Sequence, residues 1–224
     1  MRFIKFGAMC IGILLATLTA VNAALVTRLG GQAIYDTDLN VTWLADSNLA
    51  ASNSFGVAGI NPAAGGYAAG SMTWFTAQDW LSAMNTSDGG AGYLGFSDWR
   101  LPATVQPDAS CSIQAPSGAS YGYNCKGSEM GHLFYVEENG VANGSGLFSN
   151  VQGTYWSDTW SINPQYAWHF DGFQNTDSKD NSYYVRVARS GDIAAVPVPA
   201  ALWLFGSGLL GLVSMARGSR QRVG

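Results

Sequence analysis

Two apolar, uncharged segments lie near the ends of the chain, and they limit the part that can fold as a domain in water. The first covers residues 6–18 and follows the basic residues Arg2 and Lys5. It is shorter than the ~20 residues that a membrane span needs. Val21 and Ala23 then place small side chains at the positions that signal peptidase accepts. Residues 1–23 are therefore predicted to be a signal peptide, cleaved after Ala23.

The second apolar segment, residues 200–216, is predicted to be a transmembrane helix. Its length of about 26 Å, at ~1.5 Å per residue, crosses most of a hydrocarbon layer of about 30 Å. Arg217, Arg220 and Arg222 follow it, with no acidic residue beyond them. Because basic flanks stay in the cytoplasm, the body of the protein is predicted to lie outside. A buried core helix is the alternative, but such a helix normally has a polar face and this segment has none.

Residues 196–224 together resemble a PEP-CTERM sorting signal, in the variant whose motif reads Val-Pro-x-Pro-Ala. Val196, Pro197, Pro199 and Ala200 match that motif, and the apolar span and the arginines follow it. Val198 replaces the Glu of the family's namesake motif. The resemblance implies that an exosortase cuts the chain near the prolines, after signal peptidase has acted at the other end. It therefore implies an exported protein, anchored by its C-terminal helix and later found at the cell surface or outside the cell.

Residues 24–195 remain as one predicted domain, which is long enough to bury a hydrophobic core. This stretch holds all fifteen acidic residues and only six basic ones, a net charge of about −9. Such a surface repels phosphate backbones, so nucleic-acid binding is not expected.

Cys111 and Cys125 are the two cysteines of this domain. We expect them to form a disulfide, because an exported protein meets an oxidising compartment. A zinc site is the alternative, but it would need further Cys or His ligands nearby. No metal and no cofactor are expected.

The order of the elements indicates an α+β domain, with short antiparallel strands near both ends and helices between them. The strand-like runs are residues 25–28, 33–35, 41–44, 155–157, 166–170 and 183–188. Residues 48–70 have no sustained period and are predicted to form a long loop.

Two helices are predicted in the middle of the domain. The first covers residues 77–85, with Thr76 as its N-cap and with Phe75 and Trp80 as a hydrophobic staple. The second follows Ser128 and presents one apolar face. The residues of that face are Met130, Leu133 and Phe134, with Glu137 one turn further on.

Five blocks of the domain resemble the Lcl C-terminal domain family: residues 35–44, 95–102, 129–135, 155–157 and 185–186. The sequences Asp-Trp-Arg-Leu-Pro and Tyr-Trp-Ser are the most specific of them. The resemblance implies a fold related to C-type lectin-like and formylglycine-generating-enzyme domains. It also marks a set of residues as structural: Trp43, Trp99, Arg100, Leu101, Pro102, Tyr155, Trp156, Ser157 and Arg186.

Arg100 lies between two large apolar residues, and we expect its planar guanidinium to pair with a carboxylate such as Asp98 or Asp158. The aromatic residues near the C-terminal end of the domain are expected to be mostly core; any that are exposed would suit stacking on sugar rings. They are Tyr155, Trp156, Trp160, Tyr166 and Trp168.

Two polar runs are predicted to lie outside the regular elements, the first as a turn or a strand end and the second as a turn. Asp36, Asp38 and Asn40 are spaced like the start of a calcium loop, but the Gly and the terminal Glu of such a loop are missing. Residues 177–181 are predicted to be the tip of a hairpin.

The pattern offers little support for an enzyme. His132 and His169 are the two histidines, and no nucleophile elbow, zinc spacing or phosphate loop accompanies them in the domain. No catalytic residue is therefore assigned. The leading hypothesis is a non-enzymatic, lectin-like surface or matrix domain that binds extracellular polysaccharide or the envelope. The alternatives are an enzyme on a formylglycine-generating-enzyme-like scaffold and a purely structural matrix component.

Overall fold

The computed structural model describes residues 25–62 and 68–193 of the chain. The predicted signal peptide, sorting motif and transmembrane helix lie outside these residues. Within the described part, no helix combines the length and the apolar character needed to cross a bilayer. The described part is α+β, as predicted, with antiparallel sheets and two helical segments.

The first sheet joins the start and the end of the domain. Its strands are β1 (Leu25–Arg28), β2 (Ala33–Asp36), β3 (Val41–Leu44) and β9 (Ala188–Ser190), in the order β1-β2-β3-β9. All neighbours are antiparallel. Ile34 and Trp43 are paired across β2 and β3, and both are fully buried. The two ends of the domain therefore close one sheet, as the sequence pattern indicates.

The last predicted strand, residues 183–188, is wrong in extent. Only Ala188 belongs to β9, because the preceding residues pass between the two larger sheets instead of lying in one of them. Tyr183 pairs with Met72, and Tyr184 pairs with Tyr155. Residues 185–188 are all buried, Arg186 included, so the apolar residues there reflect burial between elements and not a strand with one exposed face.

The second sheet carries the C-terminal aromatic residues. It consists of β6 (Tyr155–Trp160), β7 (Tyr166–Phe170) and β8 (Gln174–Ser178), all antiparallel. The predicted hairpin tip is therefore partly wrong, because Asp177 and Ser178 end β8 and the turn begins at Lys179. The register of β6 against β7 shifts between Trp156 and Trp160.

The first helix, α1 (Trp74–Thr86), begins three residues earlier than predicted. Its N-cap is Thr73, whose Oγ1 accepts a hydrogen bond from the Thr76 backbone N–H at 3.2 Å. Phe75 is 53 % exposed, so it forms no hydrophobic staple with the buried Trp80. The sequence offers two threonines three residues apart, and packing of Trp74 into the core selects the first.

The second helix follows Ser128, as predicted. It begins as α2 (Glu129–His132) and continues as a π-helical turn, Leu133–Glu137. Met130 and Leu133 are buried, which confirms part of the predicted apolar face.

A disulfide joins Cys111 and Cys125, as predicted. The loop that it closes contains the small hairpin of β4 (Ile113–Gln114) and β5 (Ser120–Tyr121). Gly122 pairs with Gln174 through two backbone hydrogen bonds of 2.8 and 2.9 Å, which attach this loop to β8. The loop is thus held at its base and along its side.

Arg100 and Glu129 form a bidentate ion pair that joins three elements. Two guanidinium nitrogens of Arg100 each donate to a carboxylate oxygen of Glu129 at 2.7 Å. The same carboxylate accepts from the Ala103 backbone N–H, and the Arg100 backbone pairs with Ala188 of β9. The predicted partners Asp98 and Asp158 are wrong, because Asp98 pairs with Arg189 and α2 starts beside the loop after Pro102.

We predict that Arg100→Ala lowers the free energy of unfolding by about 2 to 4 kcal/mol, because Glu129 loses both charged donors in a largely buried position. Arg28→Ala is a matched control, since Arg28 makes the same two-pronged pair with Asp192 on the surface. It should cost roughly 0 to 1 kcal/mol. Asp38→Ala, at an exposed turn, should also cost little. Denaturant melts of the four proteins measure this, and equal losses for the two arginines would contradict it.

Candidate functional site

The block around Arg100 is a rigid part of the core. Trp99 is buried, and its indole N–H donates to the Tyr93 carbonyl at 2.9 Å. The side chain of Asn85, on α1, bonds both the N–H and the C=O of Trp99. Leu101 is fully buried. These contacts place Trp99 and Leu101 in the core, and the structural role of the block stays a prediction.

The Tyr-Trp-Ser block packs directly against the Arg100 block. Ser157 donates through Oγ to the Pro102 carbonyl at 2.9 Å, which joins the two blocks. Trp156 is fully buried and donates to the Met72 carbonyl at 3.0 Å. Tyr155 is buried beside it. Two segments more than fifty residues apart thus share one hydrogen-bonded core.

Arg186 is buried among aromatic rings, 3 % exposed. Its guanidinium carbon lies 4.0 Å from the ring centre of Phe148 and 5.7 Å from that of Trp43. Burial lowers the pKa of Arg186, and the negative charge of Glu138 opposes that shift. Stacking on the rings compensates part of the cost of burying this charge.

Trp160, at the end of β6, is the more exposed of two exposed aromatic residues described in the second sheet, the other being Tyr166 of β7. The register shift between Trp156 and Trp160 turns Trp160 outward, so that it is 60 % exposed while Trp156 is fully buried. Trp160 packs edge-on against Trp74, with ring centres 6.1 Å apart. The bulge thus divides one aromatic strand into a core half and a surface half.

Lys179 holds these two rings together. Its Nζ lies 4.1 Å from the ring centre of Trp160 and 4.3 Å from that of Trp74. Burial lowers the pKa of Lys179. A cation between two indole faces fixes their relative orientation.

An open groove of about 210 Å³ runs beside Trp160. Trp168 lines it and stacks against Tyr121, with ring centres 5.1 Å apart. Polar side chains, Gln106, Ser117 and Ser161, lie at the same groove. We call this surface the Trp160 groove. An apolar floor with hydroxyl and amide groups around it can bind a flat ligand that has many hydroxyls.

The predicted aromatic cluster therefore divides between core and surface. Tyr155, Trp156 and Trp168 are buried, as expected for core, whereas Trp160 and Tyr166 are exposed. Sequence reasoning missed Lys179, because a polar turn gives no sign that its cation reaches two distant rings. It also missed Glu129, although the residue stands in a family block.

The two histidines lie in different surroundings. His132 is half-buried, and its Nε2 is 3.2 Å from Glu137 Oε1. His169 is buried on β7, and its ring centre is 5.1 Å from that of Tyr183. Burial lowers the pKa of His169, and Asp171 and Asp177 partly oppose this.

The family model of the Lcl C-terminal domain matches residues 32–189, which covers most of the chain and both joined blocks. The chain belongs to the Lcl C-terminal domain family. Neither a curated protein nor a solved structure matches it. The residues that hold this Lcl C-terminal domain together, Arg100 and Trp156 among them, fall inside the matched range.

We predict that His169 makes the Lcl C-terminal domain sensitive to mild acid. Its pKa in the folded state lies below the ordinary 6.5, so below that pH the unfolded chain takes up a proton that the folded one resists. The free energy of unfolding therefore decreases as the pH falls below 6.5 toward the lower pKa of the folded state. Between about pH 7.5 and pH 5, His169→Gln should lose less stability than the parent, because glutamine takes up no proton.

The comparison with the parent isolates this effect from buried carboxyl groups. Burial raises the pKa of Asp36 and of Glu138, and such groups add stability as the pH falls through their folded values. Both proteins share them. Urea melts at the two pH values measure the difference, and an identical pH dependence for the two proteins would refute the prediction.

Proposed function

We propose that this Lcl C-terminal domain is a non-enzymatic, C-type lectin-like module that binds an extracellular polysaccharide at the Trp160 groove. The observation that carries the proposal is the exposed face of Trp160, held in place by Lys179 and Trp74. Trp160 and the exposed Ile162 lie together at the groove, and a contiguous exposed apolar patch with polar groups around it is typical of a binding surface.

Sugar rings suit this surface chemically. The C–H face of a pyranose is apolar and slightly positive, and it packs on the electron-rich face of an indole. The hydroxyls around its edge can then bond groups like those of Gln106 and Ser161 at the groove. The net charge of about −9 opposes polyanions, so we propose a neutral polysaccharide.

We also propose that the protein reaches its ligand by export. A signal peptide at residues 1–23 and a PEP-CTERM sorting signal at residues 196–224 support signal peptidase and an exosortase as processing partners. The helix at residues 200–216 would hold the chain in the membrane until the second cut. The final location would be the cell surface or the surrounding matrix.

Two other functions remain as alternatives. A purely structural matrix component would leave the Trp160 groove without a specific ligand. An oxidising enzyme on a formylglycine-generating-enzyme-like scaffold would need a reactive cysteine pair, but Cys125 is fully buried and is bonded to Cys111 at the base of a loop. That arrangement favours a structural staple.

We predict that Trp160→Ala abolishes retention of the full chain by neutral polysaccharides, because it removes the aromatic face on which a sugar ring would stack. The matched control is Tyr123→Ala, which removes an aromatic ring that is 57 % exposed but does not line the groove. Tyr123→Ala should be retained like the parent. Affinity electrophoresis in gels that contain different neutral glycans measures the effect. Equal retention of the two variants would show that the Trp160 groove is not the binding site. No retention of the parent on any glycan would favour the purely structural role.

We predict that surface-extracted protein begins at Ala24 and ends near Pro199, because both processing signals are used. Intact-mass spectrometry of material released from cells measures both ends at once. A chain that still carries residues 200–216 would contradict the exosortase cut alone. A chain that still begins at Met1 would contradict export through a cleaved signal peptide.

A further inference from the structure

Three potential metal ligands from two distant parts of the chain lie close together where β2 of the first sheet meets the second helical segment. They are Asp36, at the end of β2, and His132 and Glu137, on the second helical segment. One ligand atom of each lies within 4.8 Å of the other two. The closest pair, His132 Nε2 and Glu137 Oε1, is 3.2 Å apart.

The π-helical turn is what brings His132 and Glu137 together. In an α-helix, residues five apart point about 140° away from each other. Here the Glu138 N–H bonds the Leu133 carbonyl, five residues back, at 2.9 Å. This wider turn brings residues five apart onto one side, and such turns often occur at functional sites.

Asp36 supplies an oxygen that the fold leaves without a partner. Its Oδ1 accepts from the backbone N–H groups of Asp38 and Leu39, both at 3.0 Å, which confirms the predicted turn. Its Oδ2 is buried and has no hydrogen-bond partner among the described residues, and Asp36 as a whole is 0 % exposed. An unpartnered carboxylate oxygen at such depth needs a compensating charge.

We propose that Asp36, His132 and Glu137 form a binding site for Zn²⁺. One imidazole and two carboxylates are ligands that zinc accepts, and three protein ligands leave one position of a tetrahedron for water. Zinc ligands at 2.0 to 2.2 Å from the ion lie about 3.3 to 3.6 Å from one another. The His132–Glu137 separation of 3.2 Å is within about 0.1 Å of that range, and Asp36 needs to approach by about 1.5 Å at most.

The ligand set also indicates which ions would be excluded. Ca²⁺ takes six to eight oxygen ligands, and Mg²⁺ prefers an all-oxygen octahedron. A site with a nitrogen donor and two carboxylates favours a first-row transition ion over either. Zinc would cross-link β2 to the second helical segment.

The test is a zinc titration of the full chain, purified in detergent and stripped with EDTA. Calorimetry should show one equivalent of Zn²⁺, and a tenfold excess of Ca²⁺ or Mg²⁺ should not compete. His132→Gln and Glu137→Gln should each weaken zinc binding at least tenfold. Asp38→Asn is the matched control, because it removes an exposed carboxylate from the same turn and should bind like the parent.

A metal-free melt separates loss of the site from loss of the fold. Glu137→Gln keeps the length of the side chain and an oxygen that can accept from the His132 ring, so without zinc it should melt close to the parent. Zinc should raise the melting temperature of the parent but not of this variant. Absence of zinc binding, equal binding by parent and both glutamine variants, or displacement of zinc by Ca²⁺ would each overturn the proposal.

Discussion

The Arg100–Glu129 pair is the contact on which the architecture depends, because three otherwise separate elements meet there. Arg100 bonds β9 through its backbone and the second helical segment through its side chain. The Glu129 carboxylate also holds the loop that follows Pro102. A planar cation with two matched acceptors is suited to such a junction, since it fixes both distance and orientation.

Much of the fold could be predicted because it follows from local patterns. Alternating apolar residues predict β1, β3 and β7, and the two domain cysteines predict the disulfide. The partner of Arg100 could not be predicted, because it is chosen by where α2 lies in space. The predicted N-cap of α1, Thr76, was wrong for a similar reason. Thr73 and Thr76 are locally similar, and the packing of Trp74 into the core selects Thr73.

The candidate sites were harder to predict than the fold. The sequence shows that Trp156 and Trp160 are four residues apart, but not that a bulge between them sends one inward and the other outward. Asp36, His132 and Glu137 are each unremarkable in sequence; a π-helical turn and the end of a strand bring them together. Bulges and π-turns change the direction of side chains without a clear sequence signal, so the residues that follow them are the least predictable.

The Arg28–Asp192 ion pair would have a mechanical consequence if the domain were held by the proposed C-terminal anchor. Asp192 contacts the end of β1, and just before it Gly191 accepts a hydrogen bond from Thr42 on β3. Tension that enters at Ile193 is therefore shared by β1 and β3 before it reaches the three residues of β9. A pulling force applied at Ile193 would thus act on β1 and β3 as well as on β9, so the hydrogen bonds of the three-residue strand β9 would not bear it alone.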